Sequence, residues 1–246
     1  MKIMNNWNDN YVNGYQTAVQ AENEMTLQRY VASVMRKVYG KMALGLLATA
    51  ITSFLILSSP ALMNVLFGFR ATMWILFAVE LGVVIYLSAR IDKLSTGAAT
   101  AMFYLYSVLT GVTLTPIFLV YTGSSIATTF AITAGTFGAM SLAGYFTKTD
   151  LSKFGSFLSM ALLGLIVCIL VNLILQNTMF DLLISCAGVL IFVGLTAWDT
   201  QNIKRMCAQA DSTMVGKIAT MGALSLYLDF INLFLYLLRF FGASRD

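Results

Sequence analysis

Three carboxylic acids, Glu80, Asp199 and Asp229, lie in long apolar runs of this sequence. Glu80 is surrounded by apolar residues, Asp199 closes its run, and Asp229 lies near the centre of the last run. An acidic side chain in the hydrocarbon of a bilayer costs about 2.5 to 3.5 kcal/mol on insertion scales. Acids at such positions are therefore functional candidates, and each needs a partner or a water-filled cavity.

Asp199 and Asp229 lie on consecutive runs, so the two acids can share a proton and titrate as a coupled pair. A shared proton would close the pair through a hydrogen bond. Two ionised acids would instead repel each other, open, and offer oxygen ligands to a hard cation such as calcium. We predict that the pair is a pH sensor and gate with transient calcium binding. For each acid, the structural alternative is a buried carboxyl group that bridges helices.

Polar residues recur on one face of the last run. Starting at Gly222 they are spaced three or four residues apart, as one face of a helix requires. The set is Ser225, Asp229, Asn232, Tyr236 and Arg239. Such a stripe needs an aqueous or protein lining. We predict Ser225, Asn232 and Tyr236, together with Glu80, as latch or path residues.

Composition excludes several kinds of site. The absence of histidine excludes a Ser-His-Asp triad, a Cys-His dyad and His-ligated zinc. Cys168, Cys186 and Cys207 are odd in number and include no CxxC pair, so neither a disulfide framework nor a thiolate metal site is indicated. We expect no cofactor. The net charge is +4, but the basic residues are distributed as membrane topology requires, so we expect no nucleic-acid partner.

The elements that position these acids are predicted to be membrane-spanning helices. The chain is 59% hydrophobic and 11% charged, whereas soluble domains average about 25% charged residues. The apolar runs fall at 41–58, 72–89, 97–120, 125–146, 154–175, 179–199 and 216–240. We predict an all-α polytopic membrane protein with seven spans, in which residues 58–60 end the first span and Pro116 ends or kinks the third.

The chain divides into two parts. Residues 1–26 are polar and predict a flexible tail, and residues 27–242 predict one transmembrane domain. Residues 27–38 have an apolar stripe at helical spacing, which fits either a short helix on the membrane surface or an extension of the first span. The helix carrying Asp199 has two alternatives as well. It ends there, or it continues through Ile203 and Met206, which keep helical spacing.

Basic residues orient the chain, because cytoplasmic loops carry an excess of Lys and Arg. A cytoplasmic N-terminus places 12 of the 15 basic residues on the cytoplasmic side. These are Lys2, Arg29, Arg36, Lys37, Lys41, Arg90, Lys93, Lys148, Lys153, Lys204, Arg205 and Lys217. If the last run were re-entrant, Arg239 and Arg245 would join them.

Several segments together resemble the transmembrane Bax inhibitor motif family, which includes bacterial members of this length. The matching segments are residues 133–140, 144–147, 150–152, 198–201 and 222–234. The resemblance implies seven helices with the last one central and enclosed by the other six. It also implies a pH-sensitive calcium leak protein of the bacterial inner membrane whose sensor is the aspartate pair that matches Asp199 and Asp229. An arginine on the second helix latches one aspartate in such proteins, and Arg90 is the candidate here.

Three hypotheses for function follow. We prefer a calcium or general cation leak channel gated by protonation of the aspartate pair, whose partners are the lipid bilayer, calcium and protons. The second is a non-conducting scaffold or stress-response modulator whose acids brace helices. The third is an intramembrane aspartyl protease, but residues 226–229 lack the Gly-x-Gly-Asp pattern of those enzymes. We therefore expect no enzyme activity.

Overall fold

The structure is a computed structural model that describes residues 2–210 and 214–243, with the side chains of residues 2–19, 21, 23 and 70 left outside that description. The described residues form nine α-helices. In chain order they are α1 (Lys2–Leu57), α2 (Pro60–Phe67), α3 (Arg70–Arg90), α4 (Thr96–Leu114), α5 (Ile117–Val120), α6 (Gly123–Phe146), α7 (Ser152–Leu175), α8 (Thr178–Gln209) and α9 (Val215–Phe241).

Seven segments of the described chain are long and apolar enough to cross a membrane. They are Glu24–Leu57, Ala71–Arg90, Thr96–Val120, Gly123–Phe146, Ser152–Leu175, Thr178–Gln209 and Val215–Phe241. A helix satisfies its backbone hydrogen bonds internally, which an apolar segment must do in lipid. The prediction of an all-α protein with seven spans is confirmed.

The structure agrees with two of the predicted boundaries and decides between the alternatives at a third. α4 ends at Leu114, just before Pro116, as predicted. Residues 58–60 end α1 but also begin the short helix α2, because Ser59 caps it and Pro60 occupies its first position. The sixth run does not end at Asp199. Of the two alternatives for that helix, the structure has the longer one, and α8 continues to Gln209.

The N-terminal part of α1 decides whether residues 27–38 form a surface helix or extend the first span. The helix is continuous from Lys2 to Leu57. Residues 27–38 are therefore an extension of the first span rather than a separate surface helix. The flexibility predicted for residues 1–26 stays a prediction.

The last helix, α9, has the largest buried share of the seven spans. It packs against α8, α1, α6 and α4. It is one unbroken helix of 27 residues, about 40 Å long at 1.5 Å per residue, which exceeds the hydrocarbon thickness of about 30 Å. Enclosure of α9 by all six other spans stays a prediction.

One end of the bundle is marked by basic residues. α3 ends there at Arg90, and α4 and α9 begin there. The Lys217 ammonium near the start of α9 donates a hydrogen bond to the backbone carbonyl of Asp92, at 2.6 Å. This bond links the start of α9 to the segment that follows α3. We call this end of the molecule the basic end.

Candidate functional site

The structure brings Asp199 of α8 and Asp229 of α9 together. Their carboxyl groups are in hydrogen-bonding contact with each other. Asp229 is only 4% exposed, and Asp199 is half-buried. The predicted coupling of the two acids therefore has the contact that it requires.

Two glycines hold the helices close on either side of this acid pair. A methyl group added at Gly222 of α9 would lie 2.9 Å from the Ile203 side chain of α8. A methyl group added at Gly188 of α8 would lie 2.7 Å from the Tyr236 ring of α9. Because α8 and α9 are consecutive and antiparallel, these contacts fix the register that sets Asp199 opposite Asp229. We call them the glycine contacts.

The acid pair has no basic counter-charge among the side chains that the structure describes. The ion pairs there join Arg205 to Asp150 and Arg239 to Asp181. Oδ2 of Asp229 is buried and has no hydrogen-bond donor in the described part of the chain. With both acids ionised, neither carboxylate can donate to the other. One proton held between them supplies a donor, so the contact favours a singly protonated pair.

The predicted polar stripe of α9 faces α8. Gly222 contacts Ile203 and Asp229 contacts Asp199. Tyr236 contacts Gly188, and Arg239 forms an ion pair with Asp181 at 3.1 Å. The stripe thus has a protein lining. Asn232 donates its side-chain amide to the Leu228 carbonyl within its own helix, at 2.8 Å, and Ser225 is half-buried.

Glu80 lies apart from this stripe, on α3 against α4. Its two carboxyl oxygens accept hydrogen bonds from Thr110 Oγ1 at 2.5 Å and from Thr113 Oγ1 at 3.1 Å. The same hydroxyls also lie within reach of backbone carbonyls of α4. A hydroxyl has a single proton, so it donates either to Glu80 or to its own helix. Glu80 thus has hydrogen-bond partners for both oxygens, unlike Asp229.

A family model described as "Inhibitor of apoptosis-promoting Bax1" matches residues 31–246. The chain belongs to this Bax inhibitor-like family. The inner membrane protein YbhL of Escherichia coli is 51% identical over 222 residues, which are 89% of this chain and 93% of that protein. An uncharacterised protein of Borreliella burgdorferi is 45% identical over 214 residues, which are 86% of this chain and 92% of that one. These descriptions name a membrane protein and no class of enzyme.

Arg90, the candidate latch of this Bax inhibitor-like protein, is exposed at the end of α3. It takes part in no ion pair with an acid of the described residues. The structure therefore does not bring Arg90 to the acid pair, and its role as a latch stays a prediction.

Sequence reasoning missed a second polar face of the last helix, α9, in this Bax inhibitor-like protein. The Tyr227 hydroxyl, in a fully buried side chain, pairs with Thr49 Oγ1 of α1 at 2.6 Å. The Lys41 ammonium of α1 donates to Thr220 Oγ1 of α9, also at 2.6 Å. The available signal was the spacing of seven residues between Thr220 and Tyr227, which places both on one helix face.

Proposed function

We propose that this protein is a pH-sensitive leak pathway for calcium across the inner membrane, gated by protonation of the Asp199–Asp229 pair. The observation that carries the proposal is the contact of two acids across the α8–α9 interface without a basic counter-charge in the described part of the chain. A group of this kind changes its interaction from attraction to repulsion when it loses one proton.

The closed state corresponds to a shared proton. One hydrogen bond then joins the carboxyl groups, and the glycine contacts keep the helices together. Loss of that proton leaves two like charges in a region of low dielectric constant, where their repulsion is stronger than in water. Separation of α8 from α9 would relieve this repulsion and leave carboxylate oxygens available to a calcium ion in transit.

The orientation of the path follows from the charge distribution. Glu80, predicted as a path residue, lies midway along α3 against α4 and apart from the acid pair. The excess of basic residues places the basic end in the cytoplasm, with α9 running outward from it. The choice of calcium over other cations rests on the family resemblance.

The test is calcium flux into dye-loaded liposomes that carry the purified protein, from about pH 6 to about pH 8. We expect wild-type flux to rise with pH, because the repulsion requires both acids to be ionised. Asp199→Asn and Asp229→Asn should each abolish the pH dependence. Asp181→Asn is the matched control, since Asp181 lies on the same helix but pairs with Arg239.

Three other results would redirect the proposal. If wild type passes no more calcium than empty liposomes, the channel hypothesis fails and a non-conducting scaffold takes its place. If flux depends on pH equally in all four proteins, the acid pair is not the sensor. If potassium and calcium pass equally, the pathway is a general cation leak.

A further inference from the structure

Lys41 joins three spans of the bundle near the basic end. It lies on α1, it is half-buried, and its ammonium group donates to Thr100 Oγ1 of α4 and to Thr220 Oγ1 of α9, both at 2.6 Å. The two threonine oxygens are 3.2 Å apart. The ammonium is therefore held at one point between α1, α4 and α9.

This ammonium has no carboxylate partner among the described residues. A charged group inside a membrane domain is costly, and one without a counter-charge is a functional candidate by default. The threonine hydroxyls point their own protons at the Thr96 and Gly216 carbonyls. Their oxygens thus accept from Lys41 and offer no donors to an anion. The arrangement holds a fixed positive charge and is not built to bind an anion.

A run of polar side chains leads from Lys41 toward the middle of the bundle. Tyr227 is the next polar residue on this face of α9, seven residues and about 10 Å beyond Thr220, with no hydrogen bond between the two. Its hydroxyl contacts Thr49, whose own proton reaches the Ser107 carbonyl at 2.8 Å. On α4, Thr110 lies about one turn from Ser107, and its hydroxyl donates to Glu80 at 2.5 Å. We call this run, from Lys41 to Glu80, the hydroxyl track.

The hydroxyl track is separate from the acid pair. Thr220 and Asp229 are nine residues apart, or two and a half helical turns at 3.6 residues per turn, so they lie on opposite faces of α9. The track has an acid at mid-depth and a fixed positive charge at the basic end. A cation attracted to Glu80 would meet repulsion from Lys41 before it reached that end.

We propose that Lys41 is an electrostatic barrier that closes the hydroxyl track to cations, so that flux is confined to the path gated by the acid pair. This inference rests on the proposed leak function. Lys41 acts here as a residue that determines which path conducts, and the acid pair keeps its role as the gate.

The decisive variant is Lys41→Gln, in the same liposome flux assay. Glutamine is neutral and keeps an N–H donor, with a side chain one bond shorter than that of lysine, so the variant removes the charge and retains a polar group at this position. We expect calcium flux to rise about tenfold, equal to a barrier lower by about 1.4 kcal/mol, and to become nearly independent of pH. Lys41→Arg keeps the charge and should behave as wild type.

Two further variants identify the path. Lys37→Gln is the matched control, because Lys37 is an exposed lysine one turn earlier on α1, and it should leave flux unchanged. Glu80→Gln combined with Lys41→Gln should return flux to the wild-type level, because the track then lacks its attracting acid. A non-additive result in this double-mutant cycle places both residues on one path.

The inference is overturned, with the leak function intact, if Lys41→Gln has wild-type flux and pH dependence. It is also overturned if Lys41→Gln and Lys41→Arg raise flux equally, or if Lys41→Gln releases a trapped anionic dye. Those results would indicate disturbed packing in place of a lost charge. If wild type itself shows no flux, the leak function and the barrier both fail. Lys41→Met gives a second neutral variant should the glutamine protein not fold.

Discussion

α9 has two polar faces. The acid face contains Asp229 and packs against α8, and the hydroxyl face contains Thr220 and Tyr227 and packs against α1 and α4. On the first face Asp229 meets a second acid, and its Oδ2 has no donor in the described part of the chain. On the second face Tyr227 and Thr220 each have a hydrogen-bond partner on another helix. The acid face can therefore accept a proton, whereas the groups on the hydroxyl face already have hydrogen-bond partners. The difference indicates that hydrogen bonds between helices hold the hydroxyl face, whereas the acid face can respond to the gain or loss of a proton.

The largest effect is expected where the acid face depends on close packing. Gly188→Leu would drive a side chain into the Tyr236 ring, since even an added methyl group lies 2.7 Å from it. We expect a loss of about 3 kcal/mol in the free energy of unfolding, from overpacking. Unfolding in mixed detergent micelles measures it.

Gly82→Leu is the control for that variant, because an added methyl group at Gly82 meets nothing within 4 Å. It reports the gain in helix propensity without a steric clash. Equal stabilities for the two variants would show that the glycine contacts do not hold α8 against α9.

On the hydroxyl face, Tyr227→Phe tests the bond to Thr49. Removal of this buried hydroxyl should cost about 1 kcal/mol in the free energy of unfolding, the usual net value of one hydrogen bond. Tyr86→Phe is the control, because Tyr86 is 50% exposed. If both substitutions lower the free energy of unfolding equally, the hydrogen bond between Tyr227 and Thr49 does not stabilise the fold.

On the acid face, removal of the acidic group should change the stability in the opposite direction. Asp229→Asn replaces an acid that lacks a donor with an amide that can donate to Asp199. We expect a gain of about 0.6 kcal/mol, the typical value of one hydrogen bond between membrane helices. The same micelle assay measures it near about pH 8, where repulsion between ionised acids is greatest. A loss of stability would mean that the Asp229 carboxyl group has a stabilising partner.

The smallest effect concerns Asp150, in the connection between α6 and α7. This acid accepts hydrogen bonds from nearby donors. The backbone N–H of Ser152 and the Arg205 guanidinium lower the pKa of Asp150 to about 2. An acid with a lowered pKa stabilises the fold above its ordinary pKa of about 3.9, and this contribution is lost as the pH falls toward the lowered value. We therefore expect no change from Asp150 across the range of the flux assay.

An NMR titration of the Asp150 carboxyl carbon checks this. In Arg205→Ala the pKa should rise but stay below the ordinary value, because the Ser152 N–H remains and is the larger cause. Lys153→Ala removes a nearby positive charge without a bond to Asp150 and should change the pKa less. An ordinary pKa in wild type would contradict the hydrogen bonds seen at this turn.

The sequence predicted the acid face well, because charge in an apolar run is visible without a structure. Asp199, Asp229 and the stripe from Gly222 to Arg239 follow from residue type and helical spacing. The hydroxyl face was missed, because threonine commonly bonds to a carbonyl of its own helix and the sequence does not show which partner a buried tyrosine hydroxyl has. Lys41 was counted only for topology, and its contacts with Thr100 and Thr220 depend on how three helices pack.

The glycine contacts show the same limit. Gly188, Gly222 and Gly82 look alike in the sequence, yet only the first two have a neighbouring side chain within 4 Å of an added methyl group. That difference depends on the register between helices. The extent of α8 beyond Asp199 was likewise left open, and it follows from Ile203 and Cys207, which are each 1% exposed and keep a buried face.

The order of the helices along the chain has a consequence for biosynthesis. Asp199 enters the bilayer on α8 before α9, with its partner Asp229, has been made. α9 carries an acid and two polar faces, so lipid is a poor solvent for it, and the helices already inserted provide its lining. We therefore expect the domain to assemble by late insertion of its last helix into a groove formed by earlier ones. A chain truncated before Val215 would leave that groove open and Asp199 unpartnered, as a substrate for membrane quality control.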